Sequence, residues 1–241
     1  ATLSQHCAAP TNKHYTDLEH LLRYVNGTLD RAITLQTDSL NVHVWADASF
    51  MTHADRKGQT GVAVTLGEHG PCIAPKSSKA KIITLSSTES ESLAAFEATP
   101  LLRQTAELMK ALGAPSIPVL HQDNQSAIAM AESGGGTSKH TKHFDLRLKY
   151  LQQLIANNEM HVVFTPTERM KADVFTKNTI GKKFNSYMEA LMCEKHEIKR
   201  EEKDAMLAYF VKLGMPTSKG RARKAHYSLP NNFTEQLIHS L

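Results

Sequence analysis

The sequence predicts an α/β fold: a five-stranded mixed sheet flanked by helices, preceded by a helix and followed by a helical extension. Three observations predict it. Short β-prone runs between residues 42 and 74 follow one another with only turn residues between them. A long helical pattern, Thr88 to Leu112, comes next. Beyond it, strand and helix patterns alternate, as in layered α/β architectures. With 241 residues, 41% hydrophobic and 22% charged, the chain suffices for one domain of generous size or one domain with extensions. The expected divisions are 1–40, 41–180 and 181–241.

Each element has a local reason. In the first segment Leu18, Leu21, Leu22 and Val25 recur at helical spacing, and Asn26-Gly27 is a stop signal, so an amphipathic packing helix is expected. Val42 to Ala46 reads as a strand ending at Asp47. A polar loop from Thr52 to Thr60, with Gly58 as its turn residue, leads to a second strand, Gly61 to Leu66. The tight turn Gly67-Glu68-His69-Gly70-Pro71 leads to a third, Cys72 to Ala74. Ser86, Ser87 and Thr88 are candidate caps for the long helix, and Thr88 with Glu91 fits a capping box. Pro100 inside it predicts a kink or an interrupted first half, and Gly113 with Pro115 ends it. Val119-Leu120-His121 reads as a strand, Asn124 to Glu132 as a short helix closed by Gly134-Gly135-Gly136, Phe144 to Ala156 as a helix, and Met160 to Phe164 as a strand. A last helix is expected to begin near Asp173. Beyond Gly181, Phe184 to Met192 and Glu197 to Leu213 are helical in pattern, and Lys219 to Lys224 is a basic turn.

Four acids stand in distinctive surroundings: Asp47 in Trp45-Ala46-Asp47-Ala48-Ser49, Glu91 in Ser86-Ser87-Thr88-Glu89-Ser90-Glu91, Asp123 in Gln122-Asp123-Asn124, and Asp173 in Ala172-Asp173-Val174-Phe175-Thr176-Lys177. Carboxylates are costly to bury or crowd unless positive charge neutralises them, so a convergent set of four implies divalent metal. Each acid also has a plainer role open to it. Asp47 can end a strand, Glu91 can be half of a capping box, Asp123-Asn124 can be turn or cap chemistry, and Asp173 can begin a helix.

In order and flanking residues, these patterns resemble the ribonuclease H domain at the end of copia-type LTR retrotransposon polyproteins. The segment from His14 to Thr28 resembles the connection that joins such a domain to its polymerase, so the resemblance implies a chain that begins just after a reverse transcriptase. It covers about His14 to Lys177. It implies the ribonuclease H fold, with Asp47, Glu91, Asp123 and Asp173 as catalytic residues and ligands of two Mg²⁺ ions, which Mn²⁺ would replace. It also implies hydrolysis of the RNA strand of an RNA·DNA hybrid. Glu89 competes with Glu91; the family places an Ala three residues after its catalytic Glu, and Glu91-Ser92-Leu93-Ala94 meets that pattern.

Candidate substrate contacts follow from the same comparison. Ser49 is positioned for backbone or substrate, Asn124 for a ribose 2′-hydroxyl, and Gln125 for phosphate at a helix N-terminus. Lys142 and His143 lie in Lys139-His140-Thr141-Lys142-His143-Phe144-Asp145, which is similar to the family's Arg-Thr-Lys-His-Ile-Asp motif with His140 in place of Arg; this basic cluster either holds the DNA strand or is simply solvated. Departures occur at Pro75 to Ala80, which lacks the family's Trp and Gln, and at Met170, where a Gln is common.

Charge and cysteine content bound the rest. From Gly181 onward there are 11 Lys+Arg and 7 Asp+Glu, so the chain's net charge of +4 resides in that tail, as suits a polyanionic partner. Three scattered cysteines fit neither a disulfide framework nor a zinc site, pointing to an intracellular, reducing compartment such as the cytoplasm, a virus-like particle or an organelle. No apolar run is long enough to span a bilayer, so no membrane partner is expected. The expected partners are the RNA·DNA hybrid and a reverse transcriptase polymerase domain. The alternative is a domesticated, non-catalytic scaffold subunit of a host ribonucleoprotein. An integrase-like nuclease shares the metal chemistry but usually carries three acids on a different spacing.

Overall fold

The structure is a computed structural model that describes residues 3–28, 32–133 and 142–193. Its elements are β1 (Val42–Ser49), β2 (Gln59–Leu66), β3 (Cys72–Lys79), β4 (Val119–Gln122) and β5 (His161–Phe164), with helices α1 (Asn12–Asn26), α2 (Ser87–Ala111), α3 (Gln125–Glu132), α4 (Lys142–Ala156) and α5 (Gly181–Met192). Short 3-10 turns occupy Leu3–His6, Thr167–Arg169 and Lys171–Phe175. The strands form one sheet in the order β3-β2-β1-β4-β5. β1, β2 and β3 pair antiparallel, while β4 and β5 run parallel to β1. This is the mixed sheet of the ribonuclease H-like fold expected from the sequence.

β1 shows why the sheet has two covered faces. Successive side chains of a strand point to opposite faces. Val42, Val44, Ala46 and Ala48 therefore enter one core, packed with Val62, Val64, Ala94, Ala98, Leu102, Leu120, Leu151 and Met160. Trp45 enters the other, with Ala63, Cys72, Met170, Ala172 and Leu191. The first core is roofed by α2 and α4, and the small residues Ala94, Ala95 and Ala98 let α2 lie close over β1. The second is covered by the Lys171–Phe175 turn and α5.

Several elements differ from the sequence reading. β3 extends from Cys72 to Lys79, beyond the expected Ala74, with Pro75 opposite Ala63. Proline supplies no ladder donor, and β3 tolerates it because β3 is an edge strand with one side unpaired. α2 runs through Pro100 as one helix, so its first half is not interrupted there. Proline removes the N–H that would bond the Phe96 carbonyl, and the Thr99 hydroxyl donates to that carbonyl instead at 2.8 Å. α2 is capped by Ser86, which accepts the Glu89 N–H at 3.1 Å, while Glu89 accepts the Leu85 N–H at 2.6 Å. The cap thus uses Ser86 and Glu89, not Thr88 and Glu91. α1 forms as expected, but Leu18, Leu21, Leu22 and Val25 are all exposed rather than packed.

The described residues belong to one compact unit of the chain. α5 carries Tyr187 and Leu191 buried against the body. The glycine run at 134–136, Lys139 to Thr141, the helix expected at 197–213 and the basic turn at 219–224 lie outside the described residues.

Candidate metal centre

The C-terminal end of β1 delivers Asp47, and parallel pairing sets β4 beside it, with Trp45 opposite His121, so that Asp123 follows two residues later. Asp173 arrives from the other direction. It lies in the Lys171–Phe175 turn, a single 3-10 segment rather than the start of a long helix. Gly61, the antiparallel partner of Asp47, makes this approach possible: a Cβ there would lie 2.9 Å from the Ala172 carbonyl oxygen and 2.8 Å from Thr176 Cγ2. Asp47, Asp123 and Asp173 each present an oxygen, and these three atoms lie within 4.8 Å of one another.

Glu91 reaches the same region from the first turns of α2. The cap described above turns Glu89 back toward the helix start and leaves Glu91 buried. Burial, reinforced by the charges of Asp47 and Asp123, pushes the Glu91 carboxyl up to about 9. Its Oε2 is buried without a hydrogen-bond partner. Burial likewise pushes Asp47 up to about 6, with Asp173 and Asp123 adding to the effect, while the Thr176 hydroxyl and the Lys177 ammonium oppose it. A buried oxygen without a partner, beside three converging carboxylates, is a donor set that hard divalent cations fit.

The aspartates are individually oriented. Asp173, fully buried, accepts from the Tyr187 hydroxyl at 2.9 Å on Oδ2 and from Lys177 Nζ at 2.6 Å on Oδ1. Lys183 Nζ stands 3.6 Å from Oδ2. Asp47, also fully buried, accepts from the Thr176 hydroxyl on Oδ2 and from Lys177 Nζ at 3.3 Å on Oδ1. Asp123 is half-buried and accepts from the Thr167 hydroxyl at 2.9 Å, while Gln122 Oε1 accepts its backbone N–H at 2.8 Å.

No protein-family model matches the chain. Over 179 residues it is 31% identical to a retrovirus-related Pol polyprotein from transposon RE2 of Arabidopsis thaliana, covering 73% of this chain. Over 183 residues it is 28% identical to the transposon Ty1-LR3 Gag-Pol polyprotein of Saccharomyces cerevisiae, again covering 73% of this chain. This chain is a relative of retrotransposon Pol polyproteins. It spans 12% of the first polyprotein's length and 10% of the second's. Among solved structures, LC11-RNase H1 isolated from compost aligns with a TM-score of 0.43 at 15% identity, covering 57% of this chain and 93% of that one. The N-terminal ribonuclease H domain of a Mycobacterium tuberculosis protein aligns with a TM-score of 0.40 at 17% identity, covering 66% of this chain and 100% of that one.

In this Pol relative the remaining candidate residues occupy varied positions. Ser49 is half-buried and shares a hydrogen bond with Thr52 at 3.2 Å. Asn124 is the cap of α3, its side-chain oxygen accepting the Ala127 N–H at 3.0 Å, and Gln125 is exposed in the first turn of that helix. Lys142 and His143 fall in the first turn of α4, and their side chains lie outside the described residues. The sequence reading assigned no role to Thr167, Thr176, Lys177, Lys183 or Tyr187. A signal existed for Thr176 and Lys177, which follow Asp173 by three and four residues and so return to it in a helical turn. Tyr187, fourteen residues on, had none.

Proposed function

We propose that this chain is a ribonuclease H-type endonuclease that cuts the RNA strand of RNA·DNA hybrids, with Asp47, Glu91, Asp123 and Asp173 holding two Mg²⁺ ions and Mn²⁺ as a substitute. The observation that carries the reading is the convergence of three aspartate oxygens within 4.8 Å beside the unpartnered, buried Oε2 of Glu91. The relationship to Pol polyproteins of transposons supports it.

When bound, the paired ions would activate a water in line with the scissile bond and stabilise the leaving 3′-oxygen. The protein's own task is to hold four acids in place. Thr176 and Tyr187 each fix Oδ2 of Asp47 and Asp173 respectively, and Thr167 orients Asp123. Asn124 spends its oxygen on α3, so its amide nitrogen is the group that would meet a ribose 2′-hydroxyl. Ser49, Gln125, Lys142 and His143 are the further substrate contacts in this reading. A reverse transcriptase polymerase, in the same polyprotein or in trans, is the proposed partner.

A labelled-hybrid assay tests the reading. Mg²⁺-dependent cleavage is expected, with 5′-phosphate products and no cutting of duplex DNA. Asp123→Asn, at a half-buried site, should fold normally and lose activity by about 10²-fold or more. Absence of cleavage by folded protein in both Mg²⁺ and Mn²⁺ defeats the proposal.

A further inference from the structure

Lys177 stands where a cation would. Its Nζ is 2.6 Å from Asp173 Oδ1 and 3.3 Å from Asp47 Oδ1. The other oxygen of each carboxylate is already engaged, by Thr176 on Asp47 and by Tyr187 on Asp173. Lys177 therefore holds the two oxygens that these neighbours leave free. The backbone positions it: the Lys177 N–H donates to the Asp173 carbonyl at 2.9 Å, and the Thr176 hydroxyl reaches the same carbonyl at 3.2 Å. The side chain is 38% exposed whereas both carboxylates are fully buried, so the lysine lies on the solvent side of Asp47 and Asp173.

Magnesium binds carboxylate oxygen at about 2 Å and repels a neighbouring ammonium. A divalent ion held by Asp47 and Asp173 would compete with Nζ for their carboxylates. We propose that Lys177 is a tethered competitor of the divalent ion: its ammonium neutralises Asp47 and Asp173 and must release their carboxylates before metal binds. This rests on the metal-site reading above. Lys183, whose Nζ stands 3.6 Å from Oδ2 of Asp173, lies on the oxygen that Lys177 does not hold and serves as the control. The effect is to lower metal affinity while keeping the crowded carboxylates compatible with the folded chain when divalent ion is scarce.

Two measurements on the whole chain test this. In the first, Mn²⁺ is titrated into wild type and Lys177→Met and followed by electron paramagnetic resonance. At least about tenfold tighter binding is expected in the variant, since a bound ion no longer displaces an ion pair. Equal or weaker binding overturns the proposal. The second needs no variant: acylation of lysines in wild-type protein, read by mass spectrometry with and without Mn²⁺. Several-fold faster modification of Lys177 is expected once Mn²⁺ is bound, against unchanged Lys183. Unchanged Lys177 reactivity in protein shown to bind Mn²⁺ overturns the competition while leaving the metal site standing. Failure of wild type to bind Mn²⁺ at all overturns both.

Discussion

Gly61 lies directly across the β1–β2 ladder from Asp47, and it is the absent side chain of Gly61 that admits the turn bearing Asp173. A Cβ at this position would meet the Ala172 carbonyl oxygen and Phe175 Cβ, both at 2.9 Å. Backbone cannot swing away as a side chain can. Gly61→Ala should therefore cost about 1–3 kcal/mol, the usual penalty of overpacking, and loosen Asp173 from Asp47. Urea denaturation checks the first effect and Mn²⁺ titration the second. A variant as stable as wild type would show that the turn has room to spare.

Tyr187 is the contribution of α5 to the acidic cluster. Its hydroxyl donates to a fully buried carboxylate at 2.9 Å. Tyr187→Phe keeps the ring in its pocket and deletes only that donor. Hydrogen bonds to charged groups contribute about 1.5–3 kcal/mol, and residues that orient metal ligands affect metal affinity by about 10–100-fold. Thermal melting and Mn²⁺ affinity should both register the change, with the affinity loss absent if Asp173 takes no part in binding.

Glu91 makes the stability of the fold depend on pH. Its carboxyl is raised from 4.5 to about 9, first by burial and then by Asp47 and Asp123. A raised acid favours the folded state while protonated, so that contribution is present below the unfolded value and lost as pH climbs toward 9. Asp47, raised from 3.8 to about 6, acts the same way across a lower window. In chelator at pH 8, Glu91→Gln should thus melt higher than wild type, since the amide cannot ionise. The same substitution should abolish Mg²⁺-dependent cleavage. A lower melting temperature in chelator would contradict the assignment of burial as the dominant cause.

His121 acts in the opposite direction. It is buried, stacked on Trp45 at 3.7 Å between ring centroids, and linked to His43 at 2.8 Å and to the Thr165 hydroxyl at 2.8 Å. Burial, with the nearby His43, Lys171 and Arg169, lowers it from 6.5 to about 3. A lowered histidine stabilises the fold as the neutral ring, fully above the unfolded value, and that support is lost as pH falls from 6.5 toward 3. Trp45 is the chain's single tryptophan. Its fluorescence should report acid unfolding, with the midpoint moved to lower pH in His121→Gln.

Much of this was legible in one dimension because the forces concerned are local or periodic. Val42 to Ala46 was readable as a strand from its β-prone run, whereas the covering of both its faces, by Val42, Val44, Ala46 and Ala48 on one side and Trp45 on the other, emerged only in the fold. Asn124 was readable as a cap because a cap bonds within its own turn. Edge position was not readable, so the stretch Pro75 to Lys79 escaped notice: whether a proline is tolerable depends on which neighbours a strand has. The surface left bare on α1 was hidden for the same reason, since spacing shows that a helix has an apolar face but not whether anything covers it.

The sequence by itself determined the order of strands and helices and the positions of four acids, because hydrophobic period and turn chemistry are properties of neighbouring residues. Only the tertiary structure decided that three aspartates meet within 4.8 Å, that Glu91 and not Glu89 is buried beside them, and that Lys177 and Tyr187 hold them. Those outcomes depend on how parallel β1 and β4 align their ends and on the gap left by Gly61. Distances between segments far apart in the chain are set by packing, and packing is a property of the assembled molecule.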